Sequence, residues 1–200
     1  RNLHAAEAAA GVRHHVALAH GLAVQAIRAR GRAGTKVGPA ENLATCVPAF
    51  DAPDHVRAAE IATRELNSGF LGVILEGKYT DGFLQYAGRN APKFTADELK
   101  IISSPNDFVG LNIYAPQFYI AASDKAPGWK MLPFPASFPH MSSDWLRVGP
   151  ETIYWAPRLA AKVWNIENIY ISENGTSSED KVSADGQIYA MAQGNLAVGG

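Results

Sequence analysis

Asp107-Phe108-Val109-Gly110-Leu111-Asn112-Ile113-Tyr114 and Ile169-Tyr170-Ile171-Ser172-Glu173-Asn174-Gly175 decide the reading of this 200-residue chain. Each is a short run rich in strand-forming residues, and the second ends on polar ones. Asn174-Gly175 is a turn signal placed directly after the second run. Between them, residues 151–164 carry Ile153, Ala156, Leu159, Ala160 and Val163 at helical spacing, which predicts a helix with those residues inward. A strand, a helix and a second strand in this order favour parallel strands joined by a helical crossover.

Working outward, Val12, Val16, Ala19, Ala23 and Ile27 predict one inward stripe of a helix over 12–30, closed by Gly31 and Gly34. Thr35–Asn42 is a weaker strand candidate because of Gly38 and Pro39. Pro53 and Asp54 open a helix expected to run to about Ser68, with proline where its missing N–H does no harm. Residues 69–90 read as short irregular pieces. Thr95-Ala96-Asp97-Glu98 is a capping-box pattern starting a short helix. From 115 to 149 the chain is rich in proline, aromatic and small residues, a composition that predicts a long functional loop. The fold class is therefore α/β, with one domain over 1–189 and a loose tail over 190–200.

Composition narrows the function. Hydrophobic residues make up 47% and charged residues 18%, the balance of a packed chain. A formal net charge of −1 gives no electrostatic basis for nucleic acid or an anionic membrane as partner, and no apolar run is long enough to span a bilayer. It is compatible with an uncharged ligand such as a sugar. The single cysteine, Cys46, excludes an intramolecular disulfide and reads as a packing residue, which leans the expected location to the cytoplasm. His14, His15 and His20 lack the i, i+4 spacing of a helical zinc pair and read as structural. Asn174-Gly175-Thr176 matches a glycosylation sequon but is read as part of the turn.

Glu173 is the candidate catalytic residue. A carboxylate ending a parallel strand can attack an anomeric carbon, although by position alone it also reads as an exposed strand-end glutamate. Its neighbours sharpen the choice. Ile171-Ser172-Glu173-Asn174-Gly175 resembles the strand-seven nucleophile signature of family 1 glycoside hydrolases, I/V-T-E-N-G, with Ser172 for threonine. Asp107–Tyr114 resembles the family's strand-six motif, D-F-x-G-x-N-Y-Y, with Ile113 for the first tyrosine. His14-His15 through Leu18-Ala19-His20-Gly21 resembles the helix-four segment, and Asn42 falls in the strand-five segment.

The resemblance runs from about residue 10 to 189. It implies the later half of a (β/α)8 TIM barrel, incomplete and without its closing strands, and a retaining β-glycosidase that uses no metal or organic cofactor. It further implies Glu173 as nucleophile, Tyr114 as the phenol that orients it, and Asn112, Trp145 and Asn42 as substrate-binding residues, with Trp145 on the aglycone side. The substrate would be a small β-glycoside such as cellobiose or an aryl or alkyl β-glucoside. A retaining enzyme also needs a second carboxyl group, about 5–5.5 Å from the first. The family's Asn-Glu-Pro signature for it does not occur here. The acid/base is expected upstream of Arg1, and the chain alone is expected to be inactive. A non-catalytic carbohydrate-binding or scaffold protein of the same fold, and a 6-phospho-β-glucosidase, share the same motifs.

Overall fold

The computed structural model describes residues 3–143, 145–177 and 179–191. Three parallel strands form its centre: β1 (Ala40–Asn42), β3 (Val109–Asn112) and β6 (Ile169–Glu173), in the order β1-β3-β6. The two quoted runs are thus hydrogen-bonded neighbours, with Val109 beside Ile169 and Leu111 beside Ile171. The register then slips, and Asn112 pairs with Glu173, leaving Ser172 as an extra residue in β6. Gly110 makes room for it, since a Cβ there would lie 3.0 Å from Ser172 Oγ and 3.1 Å from the Pro39 carbonyl oxygen.

Strand alternation turns Asn42 and Asn112 to one side and Glu41 and Leu111 to the other. On that second side Leu111 joins Leu43, Leu71, Val109, Ile113, Ala156 and Ala160 in a buried cluster. Each fully buried aliphatic side chain of this kind contributes about 1.5–3 kcal/mol. Glu41 sits in the same layer, where burial pushes its carboxyl up to about 7 despite the nearby Arg13.

Helices cover this side. The expected crossover helix is α6 (Thr152–Trp164). Ala156, Leu159 and Ala160 are buried as expected, Val163 is half-buried, and Ile153 is exposed. Helix α2 (Pro53–Leu66) starts at its proline and gives way after Asn67 to a π turn, Ser68–Gly72, then to the short helices α3 (Val73–Glu76) and α4 (Asp81–Ala87). Helix α5 (Ala96–Ile102) has the complete capping box: Thr95 accepts from the Glu98 N–H while Glu98 accepts from the Thr95 N–H.

Two expectations are corrected. Helix α1 (Leu3–Arg30) begins before residue 12, and its buried face is His14, Ala17, Gly21 and Val24. Val12, Val16, Ala19, Ala23 and Ile27 all face solvent. The helix carries two apolar stripes, and close approach to α5 selects the one with glycine, because a Cβ on Gly21 would lie 2.0 Å from the Ile101 carbonyl oxygen. The stretch 115–149 is also more regular than its composition predicts. Strands β4 (Phe118–Ala122) and β5 (Trp129–Leu132) form an antiparallel hairpin, and β2 (Cys46–Pro48) pairs with β4 in parallel. This small sheet packs on α2 and α6 through Cys46, Ala58, Ala59, Ala62, Ile120 and Leu159.

Strands β7 (Glu179–Val182) and β8 (Ile188–Met191) form a separate hairpin. Of the expected tail, Ala190 and Met191 belong to β8, and 192–200 lie outside the described residues.

Candidate active site

The carboxyl-terminal ends of β1, β3 and β6 bring Asn42, Asn112 and Glu173 side by side. A relay of polar side chains links them: Ser172 Oγ donates to Asn112 Oδ1 at 2.7 Å, and Asn112 Nδ2 donates to Asn42 Oδ1 at 2.9 Å. Both amides are therefore fixed in orientation.

Glu173 is held from two directions. Its backbone carbonyl accepts from the Ile113 N–H at 2.9 Å, and the next residue, Asn174, donates Nδ2 to the Ile113 carbonyl at 2.7 Å. These two bonds pin the strand end, which is the local work of the Glu-Asn-Gly sequence, and commit the amide that a sequon reading would modify. The Glu173 side chain extends into solvent and accepts a short hydrogen bond at Oε2 from the Tyr114 hydroxyl. That bond to the carboxylate holds the Tyr114 phenol above its usual range, so it stays a donor through neutral and mildly alkaline pH.

The first residue of the strand-six motif has a structural task. Asp107 accepts from the Val37 N–H at 2.8 Å and pairs with Arg28 at 2.7 Å, tying the end of α1 and the approach to β1 to the start of β3. The Val37 N–H and the two cations, Arg28 and Lys36, hold its carboxyl below the usual range.

Asn42, Asn112, Tyr114, Trp145 and Glu173 line one cleft of about 510 Å³, so all five residues singled out from sequence are brought together. Trp145 is 68% exposed, at odds with a role in the core. Sequence reasoning missed Thr45, Gln117 and Arg147, which also line the cleft. Buried Thr45 braces its wall by donating to the Ala115 carbonyl at 2.6 Å and accepting from the Gln117 N–H at 2.9 Å. The signal for Arg147 was its place two residues after Trp145.

A larger hollow of about 960 Å³ lies between the start of α2 and the β4–β5 hairpin. Its polar side chains, among them Asp54, His55, Arg57, Lys125 and Lys130, surround no strand-end carboxylate, in contrast to the smaller cleft. Among the described residues no group of three His, Cys, Asp or Glu side chains could hold a metal ion. His14 is buried and bonded through Nδ1 to the Tyr79 hydroxyl at 2.9 Å, and Cys46 is buried with its thiol pushed up to about 12. Both fit packing roles.

Parallel strands with outer helices, carrying a carboxylate and a phenol at their carboxyl ends, define part of a (β/α)8 barrel whose sheet is open among the described residues. The model of glycosyl hydrolase family 1 matches residues 3–191, and the chain belongs to that family. It is 30% identical over 183 residues to β-glucosidase A of Acetivibrio thermocellus, covering 88% of this chain and 40% of that protein. The β-glucosidase of an Agrobacterium species is 33% identical over 175 residues, covering 84% and 37%. Among solved structures, virulence factor SghA from Agrobacterium tumefaciens superposes with a TM-score of 0.70 at 27% identity, over 90% of this chain and 40% of that one. The same factor has been solved with its substrate analogue salicin. The chain thus spans about 40% of the length of these relatives.

Proposed function

We propose that this chain is the nucleophile-bearing part of a retaining β-glucosidase, acting on terminal β-D-glucosides such as cellobiose or aryl and alkyl β-glucosides. The observation that carries the reading is the Tyr114–Glu173 bond at the mouth of a cleft also lined by Asn112 and Trp145. In the first step a Glu173 oxygen bonds to the anomeric carbon as the glycosidic C–O bond breaks, and the leaving oxygen takes a proton from a partner carboxylic acid. In the second, the partner carboxylate takes a proton from water, whose oxygen displaces Glu173 at the same carbon. Two inversions give net retention. Tyr114 fixes the attacking carboxylate, and the Ser172–Asn112–Asn42 relay presents amide donors to sugar hydroxyls. Glu173 is the sole carboxylate among the described residues that line the cleft, and we assign the partner acid to barrel strands outside this chain.

Glu173→Ala in the enzyme that contains this chain tests the reading. Turnover of an activated aryl β-glucoside should disappear, and azide should partly restore it with formation of the α-glycosyl azide. Undiminished hydrolysis by the variant would remove Glu173 from its role.

A further inference from the structure

Arg147 is a cation in the cleft with no counter-ion among the described residues. It lines the same cavity as Trp145, Tyr114 and Glu173, yet no carboxylate among the described residues pairs with it, whereas Arg28 and Arg64 are both paired. Its guanidinium instead lies over the Phe134 ring, with Cζ 4.1 Å from the centroid. Phe134 is itself held edge-on by Phe138, at 4.8 Å and 83°, and by Tyr119, at 5.5 Å and 65°. Tyr119 is fixed in turn by donating to Glu151. The backbone at Arg147 bridges to His140, and the preceding Leu146 is buried.

An aromatic ring under a guanidinium uses its flat face and leaves the in-plane N–H donors open. Those donors suit two oxygens of one anion, the bidentate geometry of arginine with carboxylate or phosphate. We propose that Arg147 is a specificity residue that binds an anionic group carried by the glycoside, a carboxylate on the leaving group or a phosphate on the sugar. This rests on the glycosidase reading of the cleft. Arg147 has no part in bond making or breaking; it selects which glycosides dwell there.

Binding of non-hydrolysable thioglucosides to the enzyme that contains this chain, measured by calorimetry, tests this separately from turnover. One pair is 4-carboxyphenyl and 4-carbamoylphenyl β-thioglucoside, and the second is phenyl β-thioglucoside with and without a 6-phosphate. In one of the two pairs the anionic member should bind about tenfold more tightly, the size expected of one charge-assisted contact. The pair that shows it names the source of the anion. Arg147→Gln should abolish that preference and leave the Kd of the neutral members unchanged, which also shows that the cleft is intact. Arg147→Lys, which keeps the charge but not the fork, should retain part of the preference. Glu173→Gln should leave the preference in place while removing turnover, so a protein that binds selectively but hydrolyses no β-glucoside counts against the enzyme reading and not against Arg147. Equal affinity within both pairs, or a preference that survives in Arg147→Gln, overturns the proposal.

Discussion

Strands β3 and β6 are neighbours in one ladder and β6 is no less apolar in composition, yet they meet different surroundings. Val109, Gly110 and Leu111 of β3 are buried, flanked by β1 and β6 and roofed by α6. In β6, Ile169 reaches the same core, but Tyr170 is 62% exposed, Ile171 41%, and Ser172 and Glu173 are open. A strand's burial is set by what lies on its two edges and two faces, and among the described residues β6 has a neighbour on one edge only. The comparison assigns core packing to β3 and the exposed strand-end carboxylate to β6.

Substitutions that separate the two properties can break this division of labour. Glu173→Ala should have the largest effect, lowering kcat/KM of the enzyme by about 10⁴-fold or more. Being exposed, it should shift the unfolding free energy by less than about 0.5 kcal/mol. Leu111→Ala should do the reverse in urea denaturation of this chain, costing about 3 kcal/mol, because it opens a cavity among fully buried neighbours. Ile171→Ala, at its partner on the same rung, should cost under about 1 kcal/mol. Equal costs would show that β6 is as well packed as β3 and remove the contrast.

Tyr114→Phe, just past the end of β3, should reduce kcat/KM by about 10- to 100-fold, the worth of a hydrogen bond to a charged acceptor. Since the phenol is held above its usual range, the loss should be constant through neutral and mildly alkaline pH. A loss confined to the alkaline side would show that the phenol ionises there and is not the steady donor described.

The smallest effect concerns Glu41, paired with Leu111 across the β1–β3 ladder. Its folded-state pKa, about 7, lies above the unfolded carboxylate value. Its protonated form therefore favours the fold, a contribution complete below the unfolded value and lost as pH rises through about 7. Glu41→Gln should stabilise the chain by about 1 kcal/mol in mildly alkaline buffer and make little difference in acid, by thermal unfolding across pH.

Much of this was legible in the sequence because the informative signals were local. The two strand motifs, the capping box at Thr95 and the proline start of α2 each depend on residues a few positions apart, and each stands where expected. What escaped depended on distant neighbours. Helix α1 offers two apolar stripes, and the choice between them is made by a contact between Gly21 and Ile101, eighty positions away. The β4–β5 hairpin was hidden because its strands are bounded by proline-rich stretches and its partner β2 is three residues long. Arg147 carried no motif; its significance comes from Phe134 beneath it and from the absence of a described carboxylate beside it.

The extra residue in β6 makes the aim of the Glu173 carboxylate a question of register. Ladder pairing advances by one rung from Leu111 to Asn112 while β6 advances by two, from Ile171 to Glu173. Deleting Ser172 would make the two strands advance rung for rung and put the carboxylate directly after Ile171, without the bulge that now precedes it. Shortening the side chain to aspartate would leave the count intact and fall one methylene short. Reach and direction are thus set by separate features, and a one-residue change in strand length can re-aim the carboxylate while leaving every side chain that lines the cleft in the sequence.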